Sequence, residues 1–190
     1  IRGQMREVQV RIIVWQAKAV AAIFSPLFIE AKKRLKKILK PNILYADGLT
    51  PAELNNYLRT FETTSDMVFI EDDGSKQDKR QEEQMIRTQL MIYKKYLRLD
   101  ERCMDLWFQA RNAWGYKGEF LRGQSTDMLQ SGAADTAMSN ILANHIVHTR
   151  LIRELGNELV CMLTLGDDNL IVATKPIDVP RHIKDSRERW

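Results

Sequence analysis

The sequence predicts an α+β fold in which helices pack on one face of a small antiparallel sheet. The chain has 190 residues, of which 44% are hydrophobic, enough to bury a single compact core. Two apolar runs over 159–173 flank a Gly-Asp-Asp and predict a β-hairpin. A short apolar strand is predicted at 67–70, and segments of helical spacing separate it from the hairpin.

The first third of the chain is predicted to form one strand and two helices. Residues 8–15 alternate weakly between apolar and polar side chains, as strands do. Residues 25–26 are Ser-Pro, which suits the N-cap and first position of a helix, predicted over 26–39. Residues 50–53 read Thr-Pro-Ala-Glu, a capping box that predicts a second helix over 51–61.

Helices and a further hairpin are predicted in the middle of the chain. Apolar residues recur with helical spacing over 78–98, and another helix is predicted over 100–114. Three glycines within 115–123 indicate the turns of a hairpin. After a turn at 130–132, a long helix is predicted over 133–155.

Composition narrows the class of protein and of site. The net charge is +4, and lysine and arginine are concentrated within 32–40, which suits either a phosphate-binding face or a solvated helix surface. The only cysteines are Cys103 and Cys161, which form no metal-binding motif and argue against a disulfide framework or structural zinc site. We see no signal peptide and no membrane-spanning stretch in the sequence.

The hairpin at the end of the chain places two adjacent acids at its turn. Asp167 and Asp168 follow a hydrophobic strand. The apolar strand predicted at 67–70 ends in Glu71-Asp72-Asp73, which can place Asp73 beside Asp167. Converging carboxylates are costly without a cation and form a hard oxygen site for Mg²⁺ or Mn²⁺. Two such ions can assist phosphoryl transfer.

The spacing of other polar residues makes this interpretation more specific. Asp73 and Asp78 form an Asp-x4-Asp, whereas neighbouring Asp72 does not have that spacing to Asp78. Residues 131–140 read Ser-Gly-x3-Thr-x3-Asn, which places Thr136 and Asn140 on one helix face. Gly166-Asp167-Asp168 comes third. This ordered trio resembles motifs A, B and C in the palm of viral RNA-dependent RNA polymerases.

The resemblance is to a particular group of these polymerases. Residues 69–81 are similar to the Glu-x-Asp-x-Ser-x-x-Asp-x-x-Gln form of motif A in alphavirus-like positive-strand RNA viruses, including hepeviruses and tobamoviruses. Residues 22–28 resemble a segment that precedes motif A in the same group. The resemblance implies template-dependent RNA synthesis by two-metal-ion nucleotidyl transfer, with Mg²⁺ or Mn²⁺ as the cofactor, for viral genome replication and transcription.

The resemblance also implies a division of the chain. Residues 1–62 would be partial fingers and connecting helices, and residues 63–174 a right-hand polymerase palm. Motif A would span 71–81, motif B 130–140 and motif C 165–169. Residues 175–190 would begin the region that follows, with no thumb, so we expect a fragment that is inactive alone.

Roles follow from the resemblance for the residues that match each motif. Asp73, Asp167 and Asp168 would be catalytic and bind the metals, with Asp168 as the accessory acid. Gly166 would leave room for the primer 3′ end. The nucleotide, including its ribose 2′-hydroxyl, would be bound by Asp78, Ser131, Gly132, Thr136 and Asn140. Arg11 and Lys18 lie where the group keeps basic residues for the triphosphate, although plain surface charge explains them equally well.

The sequence departs from the group's motif A at two positions and leaves two alternatives open. Gly74 and Gln77 replace residues that are usually apolar or aromatic, which loosens the packing behind the motif. A reverse transcriptase shares the paired acids, but Leu165 replaces the usual aromatic and Asn140 favours ribose. A non-catalytic RNA-binding fragment of a degenerate polymerase is the other alternative.

The resemblance finally implies partners and a location. We expect an RNA template, a primer or nascent strand, and nucleoside triphosphates as substrates. The remaining domains of a viral replication polyprotein would be its protein partners. The site of action would be the host cytoplasm, in membrane-associated replication complexes.

Overall fold

The computed structural model describes residues 15–73, 81, 83–126, 130, 132–174 and 178–188. The helices are α1 (Lys18–Ile38), α2 (Pro51–Leu58), α3 (Glu83–Met91), α4 (Glu101–Asn112), α5 (Thr136–Glu154) and α6 (Val179–Glu188). The strands are β1 (Ile43–Tyr45), β2 (Val68–Asp73), β3 (Ala113–Lys117), β4 (Arg122–Thr126), β5 (Leu159–Leu165) and β6 (Asp168–Ala173). Helices and strands are mixed along the chain, and the predicted α+β class is confirmed.

The main sheet has the strand order β1-β5-β6-β2. The predicted hairpin at the end of the chain is β5 and β6, which pair antiparallel, and β2 lies antiparallel on the far side of β6. Strand β1 adds a parallel edge strand beside β5, which was not predicted. Its three residues are too few for a pattern of alternation to show in the sequence.

Helices cover both faces of this sheet, rather than the single face that was predicted. On one face, Ile152 of α5 packs against Met162 and Ile171 of the hairpin. On the other face, Leu54, Tyr57 and Leu58 of α2 pack against a cluster that includes Leu163. The C-terminal part of the long α5 therefore supports the strands from behind. Its N-terminal half packs Met138, Ile141 and Leu142 into another core cluster and also carries polar side chains.

The largest core cluster lies under α1, α3 and α4. Phe28, Tyr93 and Trp107 meet edge to face, with ring centroids 5.2 to 5.8 Å apart. Edge-to-face geometry is the favoured arrangement of aromatic rings, and each of these side chains buries a large apolar area. This cluster fixes the helices that surround the start of α5.

Helix α1 differs most from its prediction, which placed its start at Ser25-Pro26. The helix begins at Lys18, and Pro26 lies inside it. Proline removes one helical hydrogen bond, but the apolar stripe of α1 runs past it, from the partly buried Val20 through Phe24 to Phe28. Burial of this stripe in the core therefore maintains the helix across the proline.

The other predicted elements differ mainly at their ends. The helix predicted over 78–98 is α3, continued by a π-helical turn over Ile92–Tyr96. Helix α5 begins at Thr136, three residues later than predicted. The glycine-rich segment forms the β3–β4 hairpin, as predicted. Of the strand predicted over 8–15, only Trp15 is described, and it pairs with Gly132. No helix in the described part of the chain is long and apolar enough to cross a membrane.

Candidate active site

The candidate site is centred on the turn between β5 and β6, which we call the acidic turn (Gly166, Asp167 and Asp168). Leu165 pairs with Asp168, so Gly166 and Asp167 form a two-residue loop. Gly166 has a φ of +65°, and a glycine with positive φ at the first loop position is what a type II′ turn requires. Asp167 and Asp168 are exposed. The backbone at Gly166 thus presents both acids to solvent.

Gly166 owes its place to backbone conformation rather than to crowding within the chain. A Cβ built at this position would meet no heavy atom of the described protein within 4 Å. A side chain would instead be strained by the positive φ. The expectation that glycine leaves room for a primer end concerns the RNA and stays a prediction.

Strand β2 brings a third acid to the turn. In the register of β2 and β6, Asp73 is the partner of Asp168, and Asp72 is the partner of Asn169. The backbone of Asp73 therefore ends beside the acidic turn, opposite Asp168 rather than beside Asp167 as the sequence analysis expected. The side chains of Asp72 and Asp73 lie outside the part of the structure that is described, and so does the whole of Asp78.

The donor set at this turn fits a hard divalent cation. Carboxylate oxygens are the ligands that Mg²⁺ and Mn²⁺ prefer, and Asp167 and Asp168 supply two exposed carboxylates. Among the side chains that the structure describes, no three histidine, cysteine or acidic groups converge on one point. A third ligand would have to come from β2, where Asp73 occupies the position opposite Asp168.

Two asparagines hold the turn from behind, and neither was predicted. Asn144 of α5 is fully buried and donates a hydrogen bond from Nδ2 to the carbonyl oxygen of Gly166, at 3.1 Å. Asn169 donates from Nδ2 to the carbonyl oxygen of Asp167, also at 3.1 Å. A sequence signal existed for Asn144, because it follows Asn140 by four residues and shares its helix face.

The loop before α5 is closed by Thr136. Its hydroxyl donates to the carbonyl oxygens of Gln130, at 2.6 Å, and of Ala133, at 3.0 Å. Gly132 is exposed and its backbone pairs with Trp15, whereas Ser131 lies outside the described residues. Thr136, which was predicted among the nucleotide-binding residues, is therefore in contact with the loop that contains Gly132.

Asn140 lies one turn further along α5, and it contacts a buried group of polar side chains. It is 5% exposed, and its Oδ1 accepts a hydrogen bond of 2.6 Å from Nε2 of Gln81. We call this group the polar network; its six members, all less than 9% exposed, are Gln81, Gln89, Arg111, Asp135, Ser139 and Asn140. Of these, Asn140 was a predicted site residue and Gln81 a residue of motif A.

A buried ion pair anchors the polar network. Arg111 of α4 donates from Nη1 to Asp135 Oδ2 at 2.5 Å, and the two side chains are 5% and 1% exposed. Ser139 donates to the same carboxylate oxygen at 2.9 Å. The Arg111–Asp135 and Gln81–Asn140 contacts join residues 24 and 59 positions apart in sequence, and no local pattern indicates such pairs.

His145 connects α5 to strand β5. Its Nε2 lies 2.9 Å from the hydroxyl oxygen of Thr164, in a buried contact. Burial disfavours the charged imidazolium and lowers the pKa of His145 to about 4. The ring is therefore neutral near pH 7 and packs between α5 and β5.

The structure places the remaining predicted residues in part. Lys18 is exposed at the first position of α1. Arg11 lies outside the described residues, and so do Gly74 and Gln77, the two departures from motif A.

The sequence that forms this site also matches a known protein family. The model of the family described as RNA dependent RNA polymerase matches residues 3–186. The chain belongs to this family, and the match favours it over the reverse transcriptase alternative.

The similar proteins are replicase large subunits of plant viruses. The chain is 28% identical over 172 residues to that of Turnip vein-clearing virus, covering 88% of this chain and 10% of the relative. It is 28% identical over 181 residues to that of Potato mop-top virus, covering 94% of this chain and 10% of the relative. The resemblance to polymerases of the alphavirus-like group is thereby confirmed. The chain spans about a tenth of the length of these relatives.

Solved polymerases share the fold. A loop-deletion mutant of the RNA-dependent RNA polymerase of a human picobirnavirus superimposes with a TM-score of 0.69 and 15% identity, covering 94% of this chain and 36% of that one. The BmCPV RNA-dependent RNA polymerase at elongation state gives a TM-score of 0.65 and 14% identity, covering 96% of this chain and 18% of that one. At these identities the likeness concerns the fold.

Proposed function

We propose that the complete protein containing this chain performs template-dependent RNA synthesis, adding ribonucleotides to an RNA 3′ end during viral genome replication and transcription. The observation that carries the proposal is the strand register, in which Asp73 ends opposite Asp168 beside the acidic turn. The family supports the same activity.

In this proposal the three acids hold two Mg²⁺ or Mn²⁺ ions. When bound, such ions would lower the barrier to attack by the primer 3′ oxygen and stabilise the charge of the pyrophosphate leaving group. The chain contributes the positions of its acids. Asn144 and Asn169 hydrogen-bond to the turn backbone, which limits movement of Asp167 and so favours the alignment that the reaction needs.

The nucleotide would bind between motif A and the start of α5. Asp78 and Asn140 would contact the ribose 2′-hydroxyl, which both donates and accepts hydrogen bonds. The loop with Ser131 and Gly132 would adapt to the incoming nucleotide, and Thr136 would hold that loop through its bond to Gln130. Arg11 and Lys18 are weaker candidates for contact with the triphosphate.

The division into partial fingers over 1–62, palm over 63–174 and a following region over 175–190 belongs to this proposal. Its substrates would be an RNA template, a primer or nascent strand, and nucleoside triphosphates. The length of the relatives supports further domains of the same polyprotein as partners. Action in membrane-associated complexes of the host cytoplasm rests on the family resemblance.

Primer extension by the complete polymerase tests the proposal. We expect incorporation of NTPs in Mg²⁺ or Mn²⁺ and a loss of roughly 100-fold or more in Asp167→Asn, because a metal ligand is removed without a change of shape. Asp66→Asn is the matched control, since Asp66 is an exposed acid outside the site. It should retain activity.

The same assay decides between the alternatives. Efficient use of dNTPs in place of NTPs would favour a reverse transcriptase. Binding of an RNA duplex with no incorporation in either metal would favour a non-catalytic RNA-binding protein. Equal activity of Asp167→Asn and Asp66→Asn would overturn the assignment of the acids.

A further inference from the structure

The polar network fixes more than the position of Asn140. Gln81 is fully buried, and its side-chain amide has hydrogen bonds to three described residues. Its Nε2 donates to Asn140 Oδ1 at 2.6 Å. Its Oε1 accepts from Gln89 Nε2 at 2.9 Å and from Arg111 Nη2 at 3.3 Å.

The chemistry of arginine determines which way each amide is turned. A guanidinium group only donates hydrogen bonds, so the end of Gln81 that faces Arg111 must be its carbonyl oxygen. The other end, Nε2, then faces Asn140, which must offer Oδ1 in return. Asn140 is thereby turned so that its Nδ2 points away from Gln81.

Arg111 is fixed in position, and it therefore keeps the Gln81 amide in this orientation. It is held by the buried carboxylate of Asp135 at 2.5 Å and by Ser139 Oγ at 3.2 Å. Gln89 is held in turn, because its Nε2 also donates to the backbone carbonyl of Ser139, at 3.1 Å. Turning any one amide would leave donors facing donors inside the core, which is costly.

We propose that Gln81 is a positioning residue for sugar selection: it orients the Asn140 amide so that Nδ2 donates to the ribose 2′-oxygen. This rests on the proposed function, in which Asn140 contacts the ribose. The 2′-hydroxyl proton would then go to the other partner, Asp78, whose carboxylate can only accept. A 2′-deoxynucleotide would leave both protein groups without their partner, which is how a polar site rejects such an analogue.

The test is the ratio of kcat/KM for an NTP to that for the matching dNTP, measured on the complete polymerase. Gln81→Glu keeps the shape and the acceptor toward Arg111, but it cannot donate to Asn140. The Asn140 amide must then turn, and two acceptors would face one 2′-hydroxyl proton. We expect the ratio to fall by about 5- to 10-fold, the effect of one lost hydrogen bond.

Two controls accompany this variant. Gln84→Glu makes the same chemical change at an exposed position of α3, and its ratio should match that of the wild type. Asn140→Ala removes the proposed contact itself and should lower the ratio at least as far as Gln81→Glu. Gln81→Leu, which also cannot donate, should reproduce the loss if it folds.

The outcomes separate the two levels of the proposal. A ratio that falls in Asn140→Ala but not in Gln81→Glu overturns the role of Gln81 and leaves sugar selection by Asn140 in place. A ratio unchanged in Asn140→Ala overturns that contact, and the role of Gln81 with it. Equal falls in kcat/KM for both substrates in Gln81→Glu would show a structural role only, and would also overturn the inference.

Discussion

The acidic turn and the polar network are held by the same helix, α5, yet they differ in almost every physical respect. The turn exposes its acids, and its backbone is bound through Asn144. The network is buried, and side chains from α3, α4 and α5 bind one another there. The proposed metal ligands and the residues that stabilise the site are therefore different. Substitutions should therefore separate the two.

The largest loss of stability is expected in the polar network. Asp135→Ala leaves the Arg111 guanidinium buried without its carboxylate, and breaking a buried ion pair in this way costs about 3–5 kcal/mol. Urea unfolding of the chain should show that loss. Glu154→Ala is the control, because its ion pair with Arg150 is exposed and such pairs are worth about 0.5 kcal/mol. Similar losses of unfolding free energy in both variants would show that the buried ion pair contributes no more to stability than the exposed one.

The next effect is a pH dependence at His145, which follows Asn144 in α5 and contacts Thr164 of β5. Its pKa is lowered to about 4 in the folded chain, whereas it is about 6.5 in an unfolded one. The unfolded state therefore binds the extra proton first, so the contribution is complete above pH 6.5 and is lost as the pH falls toward 4. The loss is on the order of 3 kcal/mol. In the His145→Gln variant, the unfolding free energy should change less with pH between 6.5 and 4 than in the wild type. The same slope in both proteins would show that His145 is not the source of the pH dependence.

A smaller effect is expected at the turn itself. Gly166→Ala should cost about 1–2 kcal/mol, because a residue with a Cβ is strained at positive φ. Gly166→Asn should cost less, since asparagine tolerates this conformation. No described atom lies within 4 Å of the added Cβ, so crowding contributes nothing. If alanine and asparagine behave alike in urea unfolding, the backbone conformation is not the reason for the glycine.

The smallest effect on stability is expected for Asp167→Asn. The side chain is exposed, and surface substitutions of this kind usually change the unfolding free energy by less than about 0.5 kcal/mol. The same variant is the one expected to abolish RNA synthesis. A fall of several kcal/mol in the unfolding free energy would mean that Asp167 stabilises the fold. The acidic turn would then not differ from the polar network in its contribution to stability.

The two regions were also unequally predictable from the sequence. The acidic turn was found because its residues are consecutive and flanked by apolar runs, which periodicity detects. Strand β2 was found by the same signal. Its register with β6 was not predicted, because Asp73 was expected beside Asp167 and the structure pairs it with Asp168. The polar network was missed, apart from Asn140, because Gln81, Arg111 and Asp135 come from separate elements and meet only after packing.

The helices show the same limit. Helix α2 was predicted from its capping box, and the structure contains it. The Thr50 side chain accepts a hydrogen bond from the backbone N–H of Glu53, and the Glu53 side chain accepts one from the backbone N–H of Thr50. The predicted start of helix α1 was too late. Pro26 is a strong local signal for a helix start, whereas the burial of Phe28 in the core depends on residues that are distant in sequence. Local rules therefore predict element types here, whereas packing decides their ends.

We expect Asp73 and the acidic turn to form one metal site, which Mn²⁺ binding to the complete polymerase would reveal. Electron paramagnetic resonance should show bound Mn²⁺ in the wild type and weaker binding in Asp73→Asn and in Asp167→Asn. Asp72→Asn is the matched control, because Asp72 is opposite Asn169 in the register, and it should bind as the wild type does. Unchanged Mn²⁺ binding in Asp73→Asn, or a loss of binding confined to Asp72→Asn, would show that Asp73 is not a ligand of this metal site.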